Sequence, residues 1–190
     1  MRYLGKDAYT LYIRGNCGSV TDTVEILDLF YYDTLTVDKQ RYTTVSGSPS
    51  LTYSSNGLNV NTNISQIGLV KNNSLTLPSD YEAEMTITYA PSTSEGGGIC
   101  FDDWLFDCGG TGLNGAVTYK LSNTSRLNTN IRRAVTNDVV KIIKTGTTIK
   151  LYINDSLIVT NTVSDDNHLQ QFRTYRNRSM TFKDLKIHEL

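Results

Sequence analysis

Glu82 and Glu84 are the two residues whose type and spacing could support hydrolysis of a glycosidic bond. On a β-strand, residues two apart project from the same face and lie about 6.5–7 Å apart along it. Glycoside hydrolysis uses two carboxyl groups about 5–9.5 Å apart, so this spacing is permitted. However, two glutamates on the wet face of an antiparallel sheet are ordinary solvated residues. We prefer the solvated interpretation and keep hydrolysis by this pair as the alternative.

A second group of candidates lies in a glycine-rich stretch between Gly96 and Gly110, which contains the one tryptophan of the chain. The predicted ligand-binding residues of this stretch are Asp102, Asp103, Trp104 and Asp107. Glycine permits close approach of a ligand, the indole could stack on a sugar ring, and the carboxylates could accept hydrogen bonds from its hydroxyl groups. The aspartates could also bind calcium, but the spacing of a calcium loop is missing and we assign no cofactor. The alternative is a hairpin that turns at the first two aspartates and buries the tryptophan in the core.

The third candidate pair is Arg173 and Tyr175, in a stretch that alternates like a strand. Alternation places both side chains on one face of the predicted strand. Arginine and tyrosine are favoured at binding surfaces, so we include both among the predicted ligand-binding residues. They are also common as outward residues of a strand, and that interpretation ranks ahead.

The sequence contains no pattern for nucleophilic, phosphate or zinc chemistry. His168 and His188 have no triad context and no spaced Cys or His partner. There is no G-x-S-x-G, and no Lys-Ser/Thr pair follows the glycine run at 96–98. Three cysteines leave at least one thiol unpaired. Cys100 and Cys108 could form a disulfide in an oxidising compartment or could be two reduced core residues.

Composition narrows the class of partner. The chain has 190 residues and a net charge of -1, which does not favour nucleic acid. It has no apolar run of the roughly 20 residues that a membrane span needs. Charged residues make up 19%, below the usual share of about 25%. Polarity comes instead from Thr, Asn, Ser and 12 Tyr, which suits contact with neutral polar ligands such as sugars and is typical of secreted or virion β-proteins.

Period-two alternation predicts an all-β fold. Residues 81–89 alternate between an apolar face and a polar face that includes the two glutamates. Residues 139–160 predict a three-strand meander with tight polar turns. A phase slip near Lys183 and Asp184 predicts a bulge in the last strand. Further strands are predicted at 8–14, 23–32, 50–53, 58–62, 98–101, 104–106, 115–121, 170–175 and 180–188. No stretch has helical spacing over three turns, so the pattern favours an antiparallel two-sheet jelly-roll sandwich.

Two parts of the chain are distinguished. Residues 1–34 predict strands that could end a preceding β module of a longer parent chain. Residues 35–190 predict the jelly-roll domain itself, which is long enough to bury a core without a disulfide or a metal.

From about residue 37 onward, the order of elements resembles the concanavalin A-like lectin/glucanase superfamily, particularly its laminin G-like branch. Three patterns carry the resemblance: Asp80-Tyr81-Glu82-Ala83-Glu84-Met85, the meander from Val140 to Asn154, and Phe182-Lys183-Asp184-Leu185-Lys186-Ile187. The resemblance implies two antiparallel sheets, one of them concave, in a protein that binds or cleaves glycans, binds proteins or acts as a spacer. Glucanases of this superfamily carry Glu-x-Asp-x-Glu on one strand. Thr86 stands at the third position here, so the resemblance does not supply a catalytic triplet.

The preferred hypothesis is a non-catalytic module that binds carbohydrate or another cell-surface ligand, as in an adhesin or a viral tail or receptor-binding protein. Its expected location is extracellular, at a cell surface or on a virion. The alternatives are a glycoside hydrolase that uses Glu82 and Glu84 and a structural assembly domain of a larger fibre, which would form a homo-oligomer.

Overall fold

The computed structural model describes residues 29–63, 66–92, 95–102, 104–109, 116–120, 126–162 and 168–190. Within these residues the chain forms fifteen strands and no helix. The strands are β1 (Leu29–Asp33), β2 (Tyr42–Ser46), β3 (Ser50–Ser54), β4 (Gly57–Thr62), β5 (Gly68–Asn72), β6 (Tyr81–Tyr89), β7 (Glu95–Phe101), β8 (Trp104–Gly109), β9 (Ala116–Lys120), β10 (Arg126–Ile131), β11 (Val139–Thr145), β12 (Thr148–Ile153), β13 (Ser156–Thr162), β14 (Gln170–Thr174) and β15 (Arg178–Glu189).

The strands form two sheets that pack face to face. Sheet A has the order β13-β12-β11-β6-β15-β4-β3, and β1 also pairs with β15. Sheet B has the order β10-β9-β8-β7-β14-β5-β2. All pairings between these strands are antiparallel. The predicted antiparallel two-sheet jelly roll is therefore confirmed.

Alternation in the sequence becomes alternation of burial. In β6, buried and half-buried residues alternate from Tyr81 to Thr88, and β11 and β12 follow the same rule. The predicted meander is confirmed as β11, β12 and β13. Tyr89 departs from the pattern: it was grouped with the inward face but is 46% exposed, since it is the last residue of its strand.

The predicted bulge in the last strand is confirmed. The register between β15 and β6 shifts between Lys183 and Lys186, and Asp184 has φ of 55°. The extra residue returns Leu185 and Ile187 to the buried side, where both are fully enclosed. The first half of β15 pairs with β4 and the second half with β1.

The core lies between the sheets and holds them in register. Phe172 of sheet B stacks on Phe182 of sheet A, with ring centroids 4.2 Å apart. Thr62 and Thr174 also share a buried hydrogen bond. Aromatic pairs of this kind add about 0.5–1.5 kcal/mol beyond the area they bury. Sheet B is thus fixed over sheet A, and its outer face has a defined set of side chains.

Some elements were not predicted. The strands β2, β5 and β10 lie in stretches with weak alternation, and β7 begins at Glu95, so it includes the glycines that were placed before the strand at 98–101.

The predicted strand at 8–14 and most of the one at 23–32 lie outside the described residues. The described end of residues 1–34 forms β1 and joins sheet A, while the proposed module boundary stays a prediction. No helix in the described part of the chain is long and apolar enough to cross a membrane.

Candidate functional site

The outer face of sheet B brings together residues from three adjacent strands. The register places Arg173 of β14 opposite Gly98 of β7, and Gly98 opposite Asp107 of β8. Residues in register share a face of the sheet. This face is the outer one, because the next row contains Phe172, which packs against sheet A. The predicted residues Arg173 and Asp107 therefore lie on the same face, one on each side of Gly98, although they are 66 positions apart in the sequence.

Tyr175 connects these two residues. Its hydroxyl donates a hydrogen bond to Asp107 Oδ1 at 2.9 Å. The Arg173 guanidinium lies 5.1 Å from the centroid of the Tyr175 ring, within the range of a cation–π contact. The carboxylate is 4% exposed, while the arginine and the tyrosine are half-buried. We call Asp107, Arg173 and Tyr175 the sheet B cluster.

Gly98 of β7, which lies between the residues of this cluster, is closely approached by the neighbouring strand β8. Because β7 lies between β14 and β8, the Tyr175 side chain must reach across it to bond Asp107. A Cβ at Gly98 would lie 2.3 Å from Leu105 Cδ1 and 2.6 Å from the Phe106 carbonyl oxygen. The bare backbone of Gly98 is therefore required by its neighbours.

The middle of the outer face does not offer contact area. Cys100 and Leu105 are fully buried there and are not part of the main core cluster. A ligand on this face would therefore touch the half-buried side chains of Arg173, Tyr175 and Lys71.

The predicted contacts of Asp102 and Trp104 with a ligand do not fit their positions. Trp104 is 1% exposed and packs between the sheets, as the core-hairpin alternative described. Asp102 is fully buried and accepts hydrogen bonds from the Tyr81 hydroxyl and the His168 backbone N–H, each at 2.9 Å. With φ of 52°, it turns the β7–β8 hairpin. Neither side chain presents surface to a ligand, and Asp103 lies outside the described residues.

The glutamate pair lies on the other sheet. Glu82 and Glu84 are half-buried on the outer face of sheet A. Lys186 Nζ donates a hydrogen bond to Glu84 Oε1 at 3.1 Å, and the register places Lys141 on the other side of Glu84. The register also pairs Glu82 with His188. The two carboxylates therefore belong to a mixed-charge surface of a kind that cross-strand pairing commonly produces.

Cys100 and Cys108 are thiols and are not joined by a disulfide. Cys108 faces the core, whereas Cys100 lies on the outer face in register with Leu105. Because the two side chains project to opposite sides of the sheet, a bond between them would need the backbone to move. Burial, with the nearby Asp107, raises the pKa of Cys108 well above its usual value, so this thiol is unreactive at neutral pH.

A polar cluster that sequence reasoning missed joins β1 to sheet B. Buried Asp33 accepts hydrogen bonds from Lys39 at 3.2 Å and Arg41 at 3.0 Å. Asn72 donates to the hydroxyls of Tyr31 and Tyr42. Burial raises the pKa of both tyrosines, so their hydroxyl groups stay neutral well into the alkaline range. The members come from β1, β2, β5 and the segment between β1 and β2, and contacts between separate strands have no local spacing that could signal them. The paired charges of the cluster indicate a structural role.

No group of three or more His, Cys, Asp or Glu side chains that could hold a metal occurs within the described ranges. Calcium binding by the aspartates stays a prediction.

No protein-family model and no curated protein matches the sequence of this chain. Solved structures do match its fold. A Bacillus subtilis protein of unknown function with a galectin-like fold has a TM-score of 0.70 at 9% identity, over 85% of this chain and 96% of that one. The chain has a lectin-like jelly-roll fold.

Two further structures show the same jelly roll with different activities. The Crh5 transglycosylase in complex with NAG has a TM-score of 0.64 at 12% identity, over 84% of this chain and 83% of that one. The carbohydrate-binding module CBM66 from Bacillus subtilis has a TM-score of 0.59 at 15% identity, over 78% and 96%. These likenesses confirm the jelly-roll fold that the resemblance to the concanavalin A-like superfamily implied, while membership of that superfamily stays a prediction. The laminin G-like branch stays a prediction, and at such identity no site residue carries over.

Proposed function

We propose that this chain is a non-catalytic recognition module that binds carbohydrate at the β5–β14 side of the outer face of sheet B. The observation that carries the proposal is the sheet B cluster, in which a half-buried tyrosine is fixed between a buried carboxylate and a guanidinium. Sugar recognition needs an aromatic surface beside a few oriented polar groups. The cluster supplies both.

The cluster is organised before a ligand arrives. The hydrogen bond to Asp107 restrains the ring of Tyr175, and the ring in turn supports the guanidinium of Arg173. A site whose side chains are already ordered loses less conformational entropy on binding, by about 0.5–1.5 kcal/mol for each side chain. A shallow site of this kind can therefore bind a sugar with few contacts.

Composition and the structural neighbours support the same proposal. The chain is poor in charge and contains 12 tyrosines, which can pack on sugars and donate hydrogen bonds. Among its neighbours, one is described as a carbohydrate-binding module and another was solved in complex with NAG.

We further propose that the module acts outside a cell, as part of an adhesin or of a viral tail or receptor-binding protein. The ligand would then be a glycan of a cell surface. For a structural role, we propose that several copies of the chain associate, as in a fibre. Measuring the molar mass in solution would test this association.

Hydrolysis by Glu82 and Glu84 remains the alternative from another class. The transglycosylase neighbour demonstrates that this fold can carry catalysis. Two observations weigh against hydrolysis. Glu84 forms a salt bridge with Lys186, and both glutamates lie on sheet A, away from Asp107, Arg173 and Tyr175. Reducing-end release from β-glucans, abolished by Glu82→Gln, would establish the enzyme.

A glycan array with the soluble protein displayed multivalently tests the proposal. We expect binding to a subset of surface polysaccharides. Tyr175→Phe should weaken it about three- to tenfold, because losing a hydrogen bond to a charged group loosens the ring and its arginine. The matched control is Tyr152→Phe, a half-buried tyrosine on the outer face of sheet A. The proposal fails if no glycan binds, or if both variants bind like the parent.

A further inference from the structure

Three of the seven strands of sheet B, with the turn that follows β14, contain basic residues and no acidic residue. The strands β2, β5 and β14 read YTTVS, GLVKN and QQFRT, and residues 175–178 read YRNR. These segments contain Lys71, Arg173, Arg176 and Arg178 but no Asp or Glu. The chain as a whole has a net charge of -1, so this concentration of cations is local.

The register brings two of these cations onto the face that holds the sheet B cluster. Lys71 lies opposite Gln171, and Arg173 is two residues further along the same strand. Lys71 and Arg173 are therefore diagonal neighbours on one face, with Cα atoms about 7–8 Å apart. Arg176 is exposed in the turn immediately after Tyr175.

The acidic side chain described on this face is enclosed by its neighbours. Asp107 is 4% exposed and accepts the hydrogen bond of Tyr175, so it lies beneath the tyrosine. On the outer face of sheet A, by contrast, lysines lie beside carboxylates, as in the pairs Lys186–Glu84 and Lys141–Asp155. The β5–β14 side of sheet B differs in that strands β2, β5 and β14 contain cations and no carboxylate.

We propose that the ligand is an acidic glycan, whose carboxylate, sulfate or phosphate groups contact Arg173 and Arg176 while a sugar ring packs beside Tyr175. This inference rests on the proposed function and specifies its ligand class. A planar guanidinium matches the oxygen atoms of such groups and can donate two parallel hydrogen bonds to them. A second acidic group along the polysaccharide would meet Lys71.

Matched pairs of polysaccharides, measured by biolayer interferometry with the intact chain, test this inference. The pairs are polygalacturonate and its methyl ester, a sulfated galactan and its desulfated form, and a phosphate-bearing wall polymer and its dephosphorylated form. We expect the acidic member of at least one pair to bind about tenfold or more tightly than its neutral partner. Raising the salt from about 50 mM to about 500 mM should remove most of that preference, because exposed charges are screened. The preferred pair identifies which acidic group is recognised.

Two variants connect the preference to named residues. Arg176→Gln, at an exposed turn position, should lower binding of the acidic member about threefold or more without disturbing the fold, and Arg173→Lys should also weaken it because the planar fork is lost. Lys150→Gln, on the outer face of sheet A, is the control and should bind like the parent. Equal or tighter binding of the neutral members, or unchanged binding by both arginine variants, overturns the inference and leaves carbohydrate binding intact. Failure to bind any glycan overturns the proposed function itself.

Discussion

The outer faces of the two sheets differ in how their polar residues are held. On sheet A, Glu84 and its lysine partner pair across neighbouring strands, and both side chains remain partly exposed. On sheet B, the sheet B cluster reaches across a strand of glycines and ends on a buried carboxylate. The first arrangement distributes charge over a solvated surface. The second fixes one aromatic ring in place, which is why we assign recognition to sheet B.

The largest expected effect on stability comes from adding a side chain at Gly98 in β7. Gly98→Ala should destabilise the protein by about 2–3 kcal/mol, because its Cβ would overlap Leu105 and a backbone oxygen. Gly146→Ala makes the same chemical change in a turn of sheet A where nothing lies within 4 Å, although φ is 53°. Gly146→Ala is the control and should lose about 1 kcal/mol of unfolding free energy, because alanine is strained at this positive φ. Urea denaturation measures both. An equal loss in the two variants would show that sheet B does not depend on the bare glycine.

A smaller effect is expected from the charge pair of sheet A. Glu84→Gln should cost about 0.2–1 kcal/mol, since both partners are partly exposed and screened by water. A double-mutant cycle with Lys186→Met isolates the coupling, which should shrink at high salt. The same variant should leave glycan binding unchanged. If the parent protein cleaved a polysaccharide and Glu84→Gln did not, the functional face would instead be that of sheet A.

The smallest effect concerns the pH dependence of an exposed pair. The hydrogen bond to Asp155 raises the pKa of Lys141 above its usual value of 10.5. A raised lysine pKa contributes stability below the unfolded value, and the contribution disappears as pH rises through the folded value. Asp155→Asn should therefore cost a few tenths of a kcal/mol at pH 7 and less at an alkaline pH above the folded-state pKa of Lys141. Parallel urea titrations at the two pH values measure this. A difference that grows with pH would contradict the assignment.

Local patterns in the sequence were sufficient for the regular parts of the fold. The strand from Tyr81, the meander and the bulge at Asp184 were predicted because burial on one face forces alternation, and a slip in phase requires an extra residue. The strands β2, β5 and β10 were missed because they are short and largely polar, and their pairing is decided by partners far away in the chain.

The candidate site was predicted in pieces. Arg173 and Tyr175 were placed together by alternation, whereas Asp107 was grouped with Asp102 and Trp104 by proximity in sequence. The structure separates that second group, because consecutive strand residues face opposite sides. Asp107 points outward to Tyr175, and Trp104 points inward to the core.

The sequence by itself determined the all-β class, the inward and outward residues of its regular strands, and the absence of a nucleophilic or phosphate-binding motif. Only the tertiary structure decided which outward residues meet, because antiparallel pairing of β14 with β7 brings Arg173 beside the hairpin that contains Gly98 and Asp107, far away in the sequence. It also decided that the two cysteines face apart and that β1 belongs to sheet A. The physical reason is the same in each case: side-chain direction has a period of two and is local, whereas the register between strands depends on how the whole core packs.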